Sequence, residues 1–212
     1  MPEVTHITFD GPATAAMTVA LAHGAGAPMD SPFMNAVAAG LADNGLRVAR
    51  FEFPYMARRR SDGTKKPPDR APVLLQTWRE VIDRLGRDRL IVGGKSMGGR
   101  IASMIAATLE QEGTPASGVA CLGYPFHPPG KPERLRTEHL ETIKTPTLIL
   151  QGERDPFGKR DEVEAYSLSD AVQLHWLADG DHGFKPRKAS GRTEADSIEE
   201  AVAVLAEFAG AR

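Results

Sequence analysis

The chain has one cysteine in 212 residues, Cys121, so no internal disulfide and no cysteine-based zinc cage can form. It also lacks an excess of either charge. Lys and Arg number 26 against 28 Asp and Glu, a net of −2, which gives no general attraction to nucleic acid or to an anionic membrane. No run approaches the roughly 18 apolar residues of a membrane span. The opening MPEVTHITFDGP has neither the basic start nor the apolar core of a secretory signal, so a soluble, cytoplasmic protein is the expectation. Internal repeats, low-complexity tracts, linkers and metal-ligand spacings are absent as well. One domain over residues 1–212 follows, long enough to bury a core of its own.

What is present is an alternation of short apolar runs with segments of helical spacing. Strands are expected at 4–9, 17–22, 46–53, 90–94, 119–124, 147–151 and 172–177. Met17 to Ala22 is almost continuously apolar, as suits a strand covered on both faces. Ser31 and Pro32 open a helix that Asn44-Gly45 ends, with Phe33 or Met34, Val37, Ala38 and Leu41 inward. Leu74, Trp78, Val81, Ile82 and Leu85 mark a second helix, and Ile101, Met104, Ile105, Thr108 and Leu109 a third. A further helix is expected over 159–168, and Ser197 with Glu200 reads as the capping box of the last one. Residues 55–70 read as a long polar loop. The pattern implies an α/β fold: a mostly parallel sheet of about seven strands, helices on both faces, and all parallel strand ends on one edge.

Gly94-Lys95-Ser96-Met97-Gly98 fits G-x-S-x-G, a pattern that chance alone would place in such a chain about one time in ten. Context decides. LIVGG is a strand, a helix begins at Met97, and Ser96 falls on the sharp turn between them, where a serine hydroxyl is held exposed. The Met97 N–H, at the helix start, can face a developing oxyanion.

A serine needs a base to take its proton. His182, in DGDHGF, follows the last strand and so lies at the edge that carries Ser96; His175 sits within a strand, and His127 and His139 flank a proline-rich loop. The base needs a carboxylate to orient it. Asp155, just past TLILQ, is favoured, with Glu153 and Asp181 as alternatives. The glycine-rich turn His23-Gly24-Ala25-Gly26 after MTVALA can present the Ala25 N–H as a second oxyanion donor, with His23 and Gly24 beside the substrate. A phosphate-cradling turn is the competing reading, but the P-loop lysine and the full dinucleotide glycine fingerprint are missing.

These blocks resemble the α/β-hydrolase superfamily, and within it the small dienelactone-hydrolase-like members and the testis-expressed hydrolase-like branch. The likeness is carried by LAHGAGAPMDSPFM, GGKSMGGR, LGYPFHPPG, QGERDPFG and DGDHGF, spread from Leu21 to Phe184. It implies Ser96 as nucleophile, Asp155 and His182 as its partners, in the family's chain order, and Ala25 with Met97 as oxyanion donors. Dienelactone hydrolases carry cysteine at the nucleophile position, so their substrate is not implied. The opening antiparallel strands are reduced to one.

No long apolar lid is available, which favours a small soluble ester or thioester, and a serine triad requires no cofactor and no metal. Arg58, in the basic stretch 55–70, is a candidate for holding an anionic substrate, against the plainer reading of a solvated loop. Tyr124 and Phe157 are candidates for lining the pocket, against that of core plugs. The alternatives to hydrolysis are a silent scaffold or binding module on the same fold and acyl transfer to an acceptor other than water. The residues do not bear on oligomeric state.

Overall fold

The computed structural model of the protein describes residues 5–212. Seven strands form one sheet: β1 (Ile7–Asp10), β2 (Thr18–Ala22), β3 (Arg47–Phe51), β4 (Leu90–Lys95), β5 (Gly118–Leu122), β6 (Thr147–Gly152) and β7 (Val172–Leu177). Their order is β1-β3-β2-β4-β5-β6-β7, with β1 antiparallel to β3 and every other pairing parallel. Val4, expected to open the first strand, lies outside the described residues.

Alternation along the strands divides the core into two layers. Val19, Leu21, Val48, Ile91, Leu122 and Leu150 face α1 (Pro32–Asp43) and the C-terminal helix, which contributes Val202, Leu205 and Phe208. Ala20, Ala22, Phe51, Val92, Cys121 and Ile149 face the other way, against α3 (Ala71–Leu85) and α4 (Met97–Gln111). Trp78 of α3 is fully buried and meets Phe51 edge-on at 4.7 Å. Burying a side chain of this kind contributes about 2–3 kcal/mol. With helices on both faces, the C-terminal ends of the parallel strands form one rim, from which the loops bearing the candidate residues leave.

Four expectations are corrected. Residues 55–70 are not all loop: α2 (Pro54–Asp62) occupies the first half, opened by its proline and ended by Gly63 in the left-handed conformation at φ 72°. Only Tyr55 and Met56 of α2 are buried, too few to leave a readable period. The segment 159–168 holds just one helical turn, α5 (Arg160–Val163), because Ala165 and Tyr166 donate to carbonyls three residues back and the α ladder stops. The last helix, α6 (Glu194–Gly210), starts before Ser197. Thr193 caps it, accepting from the Asp196 N–H at 3.2 Å, while Asp196 accepts from the Thr193 N–H at 2.8 Å. Strand β3 also ends earlier than expected, since the Phe53 N–H turns to His23 Nε2 instead of the sheet.

His139, in a short 3-10 turn at Glu138–Glu141, bonds Ser103 of α4 at 2.8 Å. Burial, helped by the charge of Arg100, pushes its imidazole down to about 4. Between there and the ordinary histidine value the unfolded chain binds a proton that the folded chain does not, so stability falls as pH drops through that window. This one residue is expected to remove about 2 kcal/mol of stability between pH 7.5 and pH 5. Urea unfolding of His139→Gln at the two pH values should show that part of the loss gone; an unchanged pH dependence would contradict it.

Candidate active site

Ser96 stands between β4 and α4 with φ 52° and ψ −116°, a conformation that costs a non-glycine residue about 1–3 kcal/mol. The turn is held from both sides: the Ser96 N–H donates to the Leu122 carbonyl at 3.0 Å, and the Ser96 carbonyl accepts from Arg100 at 3.0 Å. Gly98 is required by contact. A Cβ there would lie 2.4 Å from the Ala22 carbonyl oxygen and 2.7 Å from that of His23, so α4 could not approach the end of β2.

His182 leaves the loop after β7 and brings Nε2 to 2.8 Å from Ser96 Oγ. Its Nδ1 lies 2.7 Å from Asp155 Oδ2. Asp155 is fully buried, and its carboxylate also accepts from Gln151 Nε2 at 3.0 Å and the Phe157 N–H at 2.9 Å. The two alternative acids are engaged elsewhere. Glu153 accepts from the Asp179 N–H and from Arg160, and Asp181 from the Gly183 and Lys185 N–H groups. The histidine loop rests directly on β6: a Cβ on Gly152 would meet the carbonyl oxygens of Asp181 at 2.4 Å and Gly180 at 2.5 Å.

The turn after β2 is fixed through its carbonyls. Tyr55 Oη donates to the Ala25 carbonyl at 2.9 Å, and His23 Nδ1 lies 2.7 Å from the Gly24 carbonyl while its Nε2 accepts from Phe53. Burial holds His23 below the ordinary imidazole value, which keeps it neutral in this dual role. Among the described residues neither the Ala25 nor the Met97 N–H has a protein acceptor, and Gly24 packs close to Ser96, with 3.9 Å from an added Cβ to that of the serine.

The candidates for substrate contact separate. Phe157 stays at the site, its ring 4.3 Å from that of His182. His23 and Tyr124 are fully buried; Tyr124 packs on Phe126 at 4.8 Å and donates to the Arg136 carbonyl, so it plugs the core and does not line a surface. Arg58 pairs with Asp69 at 2.7 Å and borders a groove of about 740 Å³ between α2 and α3 that none of Ser96, Asp155 and His182 lines.

The family description "Alpha/beta hydrolase domain" matches residues 15–210. The chain is an α/β-hydrolase. Solved α/β-hydrolase structures share its fold at low identity. A serine hydrolase homologue from Coxiella burnetii superposes with a TM-score of 0.69 at 18% identity, over 94% of this chain and 90% of that one. Est1E from Butyrivibrio proteoclasticus, with ferulic acid bound, gives 0.71 at 15%, over 98% and 96%. Dienelactone hydrolase from Anabaena variabilis gives 0.70 at 23%, over 95% and 88%. Among the described residues no helix of this α/β-hydrolase is long and apolar enough to cross a membrane.

Sequence reasoning passed over Lys95, the variable position before the serine. Its Nζ donates to the His182 carbonyl and lies 5.2 Å from the ring centroids of Phe33 and Phe184. Burial pushes its amine down to about 8, against the opposing pull of Asp155 and Asp181. A folded value below the unfolded one means that the charged amine weakens the fold at neutral pH, a burden relieved as pH rises from about 8 toward 10.5. Lys95→Met should therefore raise unfolding free energy at pH 7 by about 1–2 kcal/mol. With the His182 loop released, kcat should fall by about tenfold or more. Denaturant unfolding beside steady-state kinetics checks both signs; a variant as active as the parent would show that Lys95 does not position the loop.

Proposed function

We propose that the chain is a serine hydrolase that cleaves a small ester or thioester through an acyl-serine intermediate. One observation carries this reading: an unbroken line of hydrogen bonds from a partly exposed serine through an imidazole to a buried carboxylate. In it Ser96 Oγ attacks the acyl carbonyl as its proton passes to His182 Nε2. Asp155 keeps the Nδ1 proton in place and stabilises the imidazolium that forms. The Ala25 and Met97 N–H groups bind the oxyanion, prepared for it because the neighbouring carbonyls are already engaged. His182 returns the proton to the leaving alcohol or thiol. Water then attacks the acyl-serine by the same route, regenerating Ser96 and releasing the acid.

The choice of small substrates rests on what covers the site. Ser96 itself is partly open to solvent. The test is labelling of the folded protein with a fluorophosphonate, followed by turnover of short p-nitrophenyl esters and acyl thioesters. Failure of Ser96 to take the label would point to a silent scaffold. Label without hydrolysis, restored by an added alcohol or amine, would point to acyl transfer.

A further inference from the structure

Strand β5 turns out of the sheet at Gly123, at φ 70°, after the Gly123 N–H has donated to the Leu150 carbonyl at 2.8 Å. Tyr124 follows, fully buried and past the end of the β5–β6 ladder. Main-chain groups in such a place must be satisfied by side chains. Gln151, fully buried on β6, does this with its oxygen: Oε1 accepts from the Tyr124 N–H at 2.7 Å. Its nitrogen has three acceptors in reach, Asp155 Oδ2 at 3.0 Å and the carbonyls of Gly158 and Tyr124 at 3.2 Å each. An amide nitrogen has two hydrogens to place. The carboxylate oxygen is the nearest and the strongest acceptor, and the Tyr124 carbonyl is already served by the Phe126 N–H at 3.1 Å. The amide cannot be turned over, because its nitrogen would then face the Tyr124 N–H and its oxygen the carboxylate.

The oxygen that Gln151 reaches is the one that meets the imidazole. Asp155 Oδ2 lies 2.7 Å from His182 Nδ1, and Oδ1 accepts from the Phe157 N–H at 2.9 Å. A carboxylate turns easily about its last bond, so its plane is set by the donors around it. Two of the three donors belong to loops: His182 follows β7, and Phe157 shares the turn of Asp155 itself. That turn is closed by its own backbone, the Asp155 N–H donating to the Gly152 carbonyl and the Gly158 N–H to that of Asp155, each at 3.0 Å. Only Gln151 stands on a strand, with β5 and β7 paired on either side of β6. It ties the acid to the most rigid part of the fold, and its second contact, to the Gly158 carbonyl, spans the same turn.

We propose, resting on the reading of Ser96, His182 and Asp155 as a hydrolytic triad, that Gln151 is its positioning residue: from the sheet it holds the Asp155 carboxylate with Oδ2 against His182 Nδ1, and turnover depends on that hold. Support of the Tyr124 backbone is a separate task of the same side chain, carried by the other end of the amide.

Two variants separate the tasks. Gln151→Met keeps the length of the side chain and removes all its hydrogen bonds, whereas Gln151→Glu keeps the acceptor for Tyr124. In the latter the new carboxyl oxygen faces Asp155 and two carbonyls, so burial and like charge keep it protonated at neutral pH and it donates where Nε2 did. On 4-nitrophenyl butyrate at pH 7, kcat per fluorophosphonate-labelled site should fall about 10- to 100-fold in Gln151→Met with KM within about threefold, and stay within about fivefold of the parent in Gln151→Glu. The NMR resonance of the His182 Nδ1 proton should shift and broaden in Gln151→Met and return toward its parental place in Gln151→Glu. A resonance unmoved in folded Gln151→Met, or equal losses of kcat in the two variants, overturns the proposal and leaves Gln151 a support for Tyr124. If Gln151→Met does not fold, the reading is taken from the other side. One Gln151 amide proton, drawn downfield by the carboxylate in the parent, should lose that shift in Asp155→Ala, and no change there is equally fatal. Neither resonance requires turnover. A protein that takes no label and cleaves no ester, yet shows these shifts, would end the hydrolase reading and leave the hold on Asp155 in place.

Discussion

Ser96→Ala is expected to lower kcat on any accepted ester or thioester by about 10⁴- to 10⁶-fold and to abolish fluorophosphonate labelling. The size follows from having no substitute. The thiol of Cys121 is fully buried and pushed far above its ordinary value, so it can neither reach substrate nor ionise. His182 Nε2 bonds Ser96 and no other hydroxyl among the described residues. Removal of Oγ takes away one hydrogen bond and leaves the turn, the carboxylate and the Ala25 and Met97 amides in place, so a slow background rate should remain. Melting temperature measured beside the kinetics separates loss of chemistry from loss of fold. Residual labelling comparable with the parent would mean that another residue reacts, and the proposed mechanism would be wrong.

Asp155→Asn is expected to be the next most damaging, lowering kcat by about 10³- to 10⁴-fold. The buried carboxylate faces donors only: His182 Nδ1 and Gln151 Nε2 converge on Oδ2, and the Phe157 N–H points at Oδ1. An amide must turn its NH₂ toward one of these. Directed at His182, it forces the proton onto Nε2, the atom that has to accept from the serine. Directed at Phe157, it sets donor against donor in a fully buried site, at about 1–3 kcal/mol of stability. Glu153→Gln and Asp181→Asn should each cost less than about tenfold in kcat, because these carboxylates bond loop amides and not the imidazole. Labelling rates of the three variants decide the matter. A loss in Glu153→Gln as deep as in Asp155→Asn would move the acid to position 153.

The central strands and the helices α1, α3 and α4 were legible because each carries enough apolar residues to declare a period. Helix α2 was not, since its cohesion comes from Pro54, Gly63 and two buried side chains. Ser96 and His182 could be placed from the rule that loops after parallel strands meet on one rim. Choosing the acid needed more: positions 153, 155 and 181 all lie on that rim, and only the path of each loop selects which oxygen meets Nδ1. Lys95 and Gln151 were invisible for another reason. One occupies a variable place in a motif and the other ends a buried strand, and what each does depends on residues far away in the chain. Arg58 misled because its countercharge, Asp69, lies beyond the end of the helix that carries it.

Contact of bare backbone with bare backbone, at Gly98 against the end of β2 and at Gly152 against the histidine loop, also governs how a lineage of such proteins can change. Almost any side chain at these two positions would push apart segments that hold Ser96 and His182, so inherited variation there is closed off. Residues 63–68 and 129–135 are exposed and pack against little, and can lengthen, shorten or mutate without disturbing that junction. Changes of length and sequence in descendants of this chain are therefore expected to collect in those two stretches, over a junction that stays the same.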